Sequence, residues 1–398
     1  MPESIQLAVQ LLFWAATLPA VAGCLYLLLL SLLSGAPGRP SYRLSTHPTR
    51  FDVIVPAHDE GAGIARTVRS LHSLDWPHDA FRVLVIADNC SDDTAAKAAA
   101  AGALVLERTD SVHRGKGHAL QWAFSRSVHE GWADAVVVVD ADSEASPDLL
   151  RAFAARLENG AVAIQAHYGV LNPEESWRTR LMTVAFAAIH GVRSRSRERL
   201  GLSCGIRGNG WCVATSLLRR MPYEAFSLAE DVEYGIRLGL AGHRVHYADE
   251  AQVRGEMTSR AGNAASQRRR WEQGRNQLRQ LRRPLLLRSI RQGDLVCLDL
   301  LLDLLLPPLS QLGLWLMASA SATAVLSLLK LPLPGAAIIL TASVAALVLY
   351  VLRGWQLSGL GLNVCIDFLR VPYFVAWKLL QLAKRGSGEW LRTGRERP

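Results

Sequence analysis

The chain has 398 residues, 50% hydrophobic and 20% charged, with a formal net charge of +9 and a mean hydropathy of +0.13. That hydropathy is high for a soluble enzyme, and the apolar excess sits at the two ends of the chain, which argues against a uniformly soluble globule. The arginines gather beside the apolar ends and around Arg268, Arg269 and Arg270, with no basic stripe interleaved with aromatics, so the charge points to membrane surface and phosphate and away from nucleic acid.

Residues 5–33 carry no charge and exceed the ~20 apolar residues that a bilayer core requires of a helix. Glu3, with no Lys or Arg before the run, and the length of the run speak against a cleaved signal peptide. Arg39, Arg43 and Arg50 follow, which places the next segment on the cytoplasmic side and the N-terminus outside.

From residue 51 the chain alternates short β-branched runs with helical patterns. Strands are predicted over 51–56, 82–88, 103–107 and 135–140, and helices over 63–74, 92–101 and 117–130. Nearly pure Val/Ile/Leu strands alternating with helices imply an α/β, doubly wound sheet covered on both faces. Ligands of such sheets bind beyond the carboxyl ends of the strands. Those ends carry Pro56, His58, Asp59 and Glu60, then Asp88, Asp92 and Asp93, then Asp140 and Asp142. Asp92 and Asp93 suit helix caps. Three acidic clusters on hydrophobic strands converge on one crevice for a cation or a sugar nucleotide. A dinucleotide-binding alternative lacks its third glycine, since Gly61 and Gly63 are followed by Arg66.

Asp140 and Asp142 can both reach a small hard cation, Mg2+ or Mn2+, which takes oxygen ligands and keeps substrate phosphates in its shell. Lys116, between Gly115 and Gly117, offers a point charge to phosphate. Glu230 and Asp231 open a predicted helix; a carboxylate there serves as a dipole partner or as a general base for an acceptor hydroxyl. Gln267, Arg270 and Trp271 share a helical face, where arginine suits phosphate and tryptophan offers a flat surface to a sugar ring. The six cysteines form no CxxC pair, which excludes a disulfide framework or zinc site and fits a reducing cytosol.

Beyond the domain over 50–283, in the segment 294–306, the run from Leu295 to Leu306 is apolar except for Asp299 and Asp303 at i, i+4. That face is expected to meet water or headgroups, making an interfacial helix broken by Pro307 and Pro308. Spans are predicted over 307–329 and 333–352, an amphipathic interfacial helix over 355–383, where Asp367, Arg370 and Lys378 interrupt the apolar run, and a basic tail over 384–398. The arginines at 282, 283, 288 and 291 and the basic tail put both flanks, and hence the whole middle domain, in the cytosol of a multi-pass protein of the cell (inner) membrane.

In this order the motifs resemble the family 2 glycosyltransferases, in particular the membrane-integrated branch with cellulose, hyaluronan, chitin and poly-N-acetylglucosamine synthases and ceramide glucosyltransferase. The similarity covers about 50–280 and rests on Val53–Glu60, Ala87–Asp92, Gly115–Gly117, Asp140–Asp142, Glu230–Asp231 and the Gln267-x-x-Arg270-Trp271 set. The resemblance implies a GT-A nucleotide-sugar-binding domain with a mixed sheet, flanking transmembrane helices, and inversion at the anomeric carbon. Pro56, Glu60 and Asp88 would hold the uridine of a UDP-sugar, with His58 in the same donor-binding set and Lys116 near the nucleotide. Asp140 and Asp142 would frame the metal and diphosphate. Glu230 and Asp231 would be the catalytic carboxylates, with Asp231 the base. Gln267, Arg270 and Trp271 would close over the diphosphate.

Two departures stand out. Asp59 occupies a position that is usually Asn, adding charge near the nucleotide. Residues 202–212 lack the Phe-Cys-Gly pattern of the processive synthases, and Trp211 within them reads as a core side chain or an acceptor platform. A polysaccharide acceptor is the leading expectation. The alternatives are a single sugar placed on a lipid and a non-catalytic sugar-nucleotide sensor. Three spans are few for a polymer channel, so secretion would call for a partner or a homo-oligomer. A nucleotide-driven transporter is set aside, because the chain has no GxxxxGK[ST] loop.

Overall fold

The computed structural model describes residues 3–40, 47–258 and 261–372, without the side chains of 261–266, 268 and 269. The basic tail expected over 384–398 lies outside the described residues, as do residues 373–383 and the side chains of Arg268 and Arg269.

Eight strands form one sheet: β1 Phe51–Ala57, β2 Phe81–Asp88, β3 Leu104–Arg108, β4 Ala135–Val138, β5 Ser143–Ala145, β6 Ala163–Val170, β7 Trp211–Ala214 and β8 His246–Gly255. Their order is β3-β2-β1-β4-β7-β6-β8-β5. The first four are parallel to one another, and β7 runs antiparallel to β4 and β6, so the sheet is mixed. Side chains alternate faces with period two. Val53 and Val55 of β1 therefore enter one core layer with Ile64, Val68 and Leu71. Ile54 enters the other with Leu120, Phe124 and Trp211. Burial on both faces explains why these strands read as unbroken apolar runs.

The helices Glu3–Leu32, Leu309–Leu328 and Ala336–Ser358 are each long and apolar enough to cross a membrane. Small polar groups join the first two: Thr17 and Ser319 hydroxyls meet at 3.2 Å, and Trp315 Nε1 donates to the Ala16 carbonyl at 2.9 Å. The helix expected over 333–352 continues to Ser358 and ends at Gly359, whose φ of +69° closes it. The amphipathic helix expected from 355 is thus not one element. Trp355–Ser358 completes the preceding helix, and Val364–Phe368 is a separate short one.

Helix Leu295–Leu305 corrects a second expectation. Asp294 caps it, its carboxylate accepting from the Cys297 amide at 3.0 Å. Asp299 is buried and Asp303 is largely buried at the wall of an internal cavity, and both pair with arginines. Those arginines come from more than ninety residues earlier in the chain, beyond the reach of a local helical pattern.

Arg207 lies in the segment before β7, and Arg193 and Arg197 belong to a long helix built from Trp177–Phe186, a π turn over Ala187–Val192, and Arg193–Arg199. Ser176 starts it with a reciprocal capping box to Thr179. This helix lies on two candidate spans. A β-carbon at Gly354 would come within 2.7 Å of Ala188 Cβ, so glycine lets the backbones close up. Ser196 Oγ donates to the Leu30 carbonyl, and Arg199 Nη1 donates to that of Leu33 at 3.2 Å.

Candidate active site

The carboxyl ends of β1, β2 and β4 open into one cavity of about 1360 Å³. Pro56, His58, Glu60, Asp88, Lys116, Asp140, Asp142, Glu230, Asp231, Gln267, Arg270 and Trp271 all line it. These twelve are thus brought together, whereas Asp59, Asp92, Asp93 and Trp211 do not line the cavity.

At the β1–β2 end, the His58 ring Nδ1 meets the Asp88 carbonyl at 2.7 Å, and the Glu60 amide donates to Thr94 Oγ1 at 2.8 Å. Asp88 is buried and accepts from Arg108 Nη1 at 2.6 Å and Asn89 Nδ2 at 3.0 Å. Arg108 closes β3, so a strand not assigned to the site orients this carboxylate. Asp59 has φ +53° and turns its carboxylate onto the Ser91 and Asp92 amides at 2.6 and 3.3 Å. Those hydrogen bonds, led by that of Ser91, hold its carboxyl below the usual range. The charge expected near the nucleotide thus serves a turn, in a left-handed conformation that Asp tolerates better than most residues.

At the end of β4, Lys116 Nζ donates to Asp140 Oδ1 at 2.6 Å and to the Gly208 carbonyl at 3.0 Å, with Glu230 Oε1 at 3.8 Å. Burial opposes the lysine's charge, but Asp140, Glu230 and Asp231 outweigh it and hold the ammonium above its ordinary value. The carboxylates are the strained partners. Burial pushes Asp140 up, with Asp142 adding to it against Lys116. Glu230 and Asp231 are also raised by burial, against the pull of Lys116, and Asp140 adds to both. Lys116, with Arg270 also acting on Asp140, leaves these carboxylates in excess of the positive charge beside them. Gly208 has φ +91°, and a β-carbon there would lie 3.2 Å from Asp231 Oδ2, so the backbone approaches that carboxylate closely. Asp142 Oδ1 accepts from Ser143 Oγ at 3.0 Å. Asp140 and Asp142 supply hard oxygen donors in a pocket short of positive charge, and that donor set fits a divalent cation.

On the opposite wall Trp271 is 38% exposed, with its ring 6.3 Å from that of Phe186. From there the cavity continues along Leu181, Met182, Ala185 and Ile189 to Leu304, Pro307 and Leu309, where a candidate span starts. Arg193, Arg207, Arg275, His190 and Asp303 line this inner part and were not anticipated. One signal was available: Arg193 and Arg197 sit at i, i+4, as do Asp299 and Asp303. Trp211 is a core side chain, 1% exposed and packed with Phe124 and Tyr223.

The family model for Glycosyltransferase like family 2 matches residues 47–274. The cellulose synthase 1 catalytic subunit of Komagataeibacter xylinus is 23% identical over 261 residues, 62% of this chain and 33% of that one. The beta-monoglucosyldiacylglycerol synthase of Synechocystis is 28% identical over 275 residues, 66% of this chain and 55% of that one. The chain thus spans a third to about half of the length of these relatives. In structure it is similar to a mannosyltransferase from Pyrobaculum calidifontis solved with GDP-Man and Mn2+, with a TM-score of 0.50, 18% identity, and 89% and 99% of the two chains covered. That likeness carries the fold: a GT-A type mixed sheet. With the matched region spanning more than half of its length, the chain belongs to the family 2 glycosyltransferases.

Proposed function

We propose that the protein is an inverting transferase that moves a sugar from a UDP-sugar to a hydroxyl of a lipid at the cytoplasmic face of the membrane. The observation that carries this reading is one continuous cavity: it holds Asp88, Asp142 and Asp231 at one end and reaches the first residue of a candidate span, Leu309, at the other. Of the two acceptor classes, polysaccharide and lipid, the apolar wall leading to that span favours the lipid. The arginines at 282, 283, 288 and 291 favour the cytoplasmic side.

In this reading Pro56, His58, Glu60 and Asp88 cradle the nucleoside, and Arg108 fixes the Asp88 carboxylate through its 2.6 Å contact. Lys116 and Arg270 face the diphosphate, and Gln267 and Trp271 close the sugar's side. A divalent cation, Mg2+ or Mn2+, held by Asp142 and Asp140 would supply positive charge against the departing diphosphate. The bond between the anomeric carbon and the diphosphate oxygen breaks, and its electron pair leaves with the diphosphate. The acceptor oxygen bonds to the anomeric carbon from the opposite face, and its proton passes to Asp231. Burial, which raises Asp231, makes it a better proton acceptor than an exposed aspartate. Glu230 shares the Lys116 ammonium and keeps that lysine placed.

The test is UDP release by the purified full chain with membrane lipid, with and without Mg2+ or Mn2+. Cation-dependent release that Asp142→Ala abolishes is expected. Donor binding without release across a donor panel would replace the enzyme with a sugar-nucleotide sensor.

A further inference from the structure

The inner end of the cavity has the opposite charge problem from the outer end. Asp303 receives three arginines: Arg193 Nη1 at 3.1 Å, Arg197 Nη2 at 2.9 Å and Arg207 Nη1 at 3.1 Å. Asp299 takes Arg197 Nε at 2.8 Å. Arg275 donates to the carbonyls of Asp303, Leu304 and Leu306 at the end of their helix. Among the described residues of this cluster, four guanidiniums thus surround Asp299 and Asp303, with Glu272 also in the cavity lining.

The surplus is visible atom by atom. Arg207 Nη2 and His190 Nδ1 are buried and have no hydrogen-bond partner among the described residues, and both side chains line the cavity. The Arg207 side chain is only 10% exposed. A buried guanidinium nitrogen without an acceptor costs the desolvation of a charged donor. Burial, with Arg207, His167 and Arg193 nearby, also keeps the His190 ring neutral. Arg275 is likewise pushed down, first by burial and then by Arg193, Arg282 and Arg207, with Asp303 opposing.

We propose that the Arg207–Arg193–Arg275 end of the cavity is a subsite for the phosphate of the acceptor, which makes the acceptor an anionic phospholipid with a free headgroup hydroxyl. This deepens the lipid-acceptor reading above and rests on it. Arginine is suited to the task, since it binds phosphate oxygens through a rigid fork. The placement is consistent with the chemistry. Arg207 adjoins Gly208, whose backbone meets Asp231, so a phosphate at Arg207 puts the headgroup hydroxyl toward the base. The acyl chains leave past Pro307 and Leu309 toward the bilayer. The hydroxyl proton goes to Asp231, the hydroxyl oxygen bonds to the anomeric carbon, and the diphosphate departs; the phosphate of the lipid keeps its bonds.

The experiment measures sugar transfer by the full chain in vesicles doped with phosphatidylglycerol or with diacylglycerol, and with soluble glycerol 3-phosphate, using a panel of UDP-sugars. Phosphatidylglycerol should exceed diacylglycerol by at least about tenfold, the equivalent of one charge-assisted hydrogen bond. Arg207→Gln should shrink that ratio by a similar factor, and Arg207→Lys should restore part of it. Equal rates on the two lipids overturn the phosphate subsite and leave the lipid reading intact. Equal rates on glycerol 3-phosphate and the phospholipid overturn the lipid source. Donor binding with no lipid turned over overturns both acceptor statements and leaves the donor assignments standing. The wild-type ratio decides the matter even where the Arg207 variants fold poorly.

Discussion

The two ends of the cavity are built in opposite ways. At the outer end the functional side chains sit just beyond strand ends or in the first turns of helices, and the excess charge is negative: Asp140, Glu230 and Asp231 share Lys116. At the inner end the side chains come from three helical segments and from the irregular segment before β7 that carries Arg207, and the excess charge is positive. An acid-rich pocket asks for a cation and an arginine-rich pocket asks for an anion. The same cavity thus carries an acidic cluster and an arginine cluster in different parts of its lining.

The largest expected effect bears on the outer pole. Asp231→Asn keeps the shape and removes the proton acceptor, so transfer should fall by roughly 10²–10⁴-fold. Donor affinity by calorimetry should change little, and an unimpaired rate would exclude Asp231 as the base.

The inner pole predicts a loss of stability instead. Asp303→Asn strips three arginines of their shared partner. Breaking a buried pair in this way costs about 3–5 kcal/mol. Thermal melting in detergent measures it, and a melting point equal to wild type would mean that the network carries no net stabilisation.

The join between the poles and the candidate spans is sharpened by Gly354→Val. The added carbon would meet Ala188 at 2.7 Å. Overpacking of this kind costs about 1–3 kcal/mol. The melting point should drop while the isolated change Ala188→Gly is milder; the reverse order would show that the two helices are not in register.

The smallest effect is a pH slope. Burial, with Arg195 adding and Asp249 opposing, pushes His167 down to about 4. The folded state then binds fewer protons than the unfolded chain, so stability is complete above the ordinary value near 6.5 and declines as pH falls below it toward 4. The slope should reach at most ~1.4 kcal/mol per pH unit. Denaturant midpoints at pH 7, 6 and 5 test it, and His167→Asn should flatten the dependence if the assignment holds.

The same contrast explains what was legible in the sequence. The strands from Phe51 to Val138 and their terminal acids are local patterns: an apolar run, a turn, a polar cluster. That pattern gathers Asp88 and Asp140 into one crevice, whereas Asp231, in a helix beyond β7, joins them through the family resemblance. Asp299 and Asp303 were misplaced because their partners, Arg193, Arg197 and Arg207, lie more than ninety residues away. A charge on an apolar helix reads as solvated until its counter-charge is located in space. Asp59 failed for a different reason: its role is set by a φ of +53°, which composition does not reveal. The break at Gly359 is the simplest case, since a single glycine at a helix end competes with a longer apolar run.

The helix that carries Arg193 and Arg197 is bolted to two candidate spans, through Gly354 on one side and the carbonyls of Leu30 and Leu33 on the other. Contacts to two separate spans tie the position of this helix to theirs. If the acceptor is the proposed lipid, the distance from the site to the bilayer is then set by those spans, and headgroups would be selected by how far they protrude as well as by what they carry.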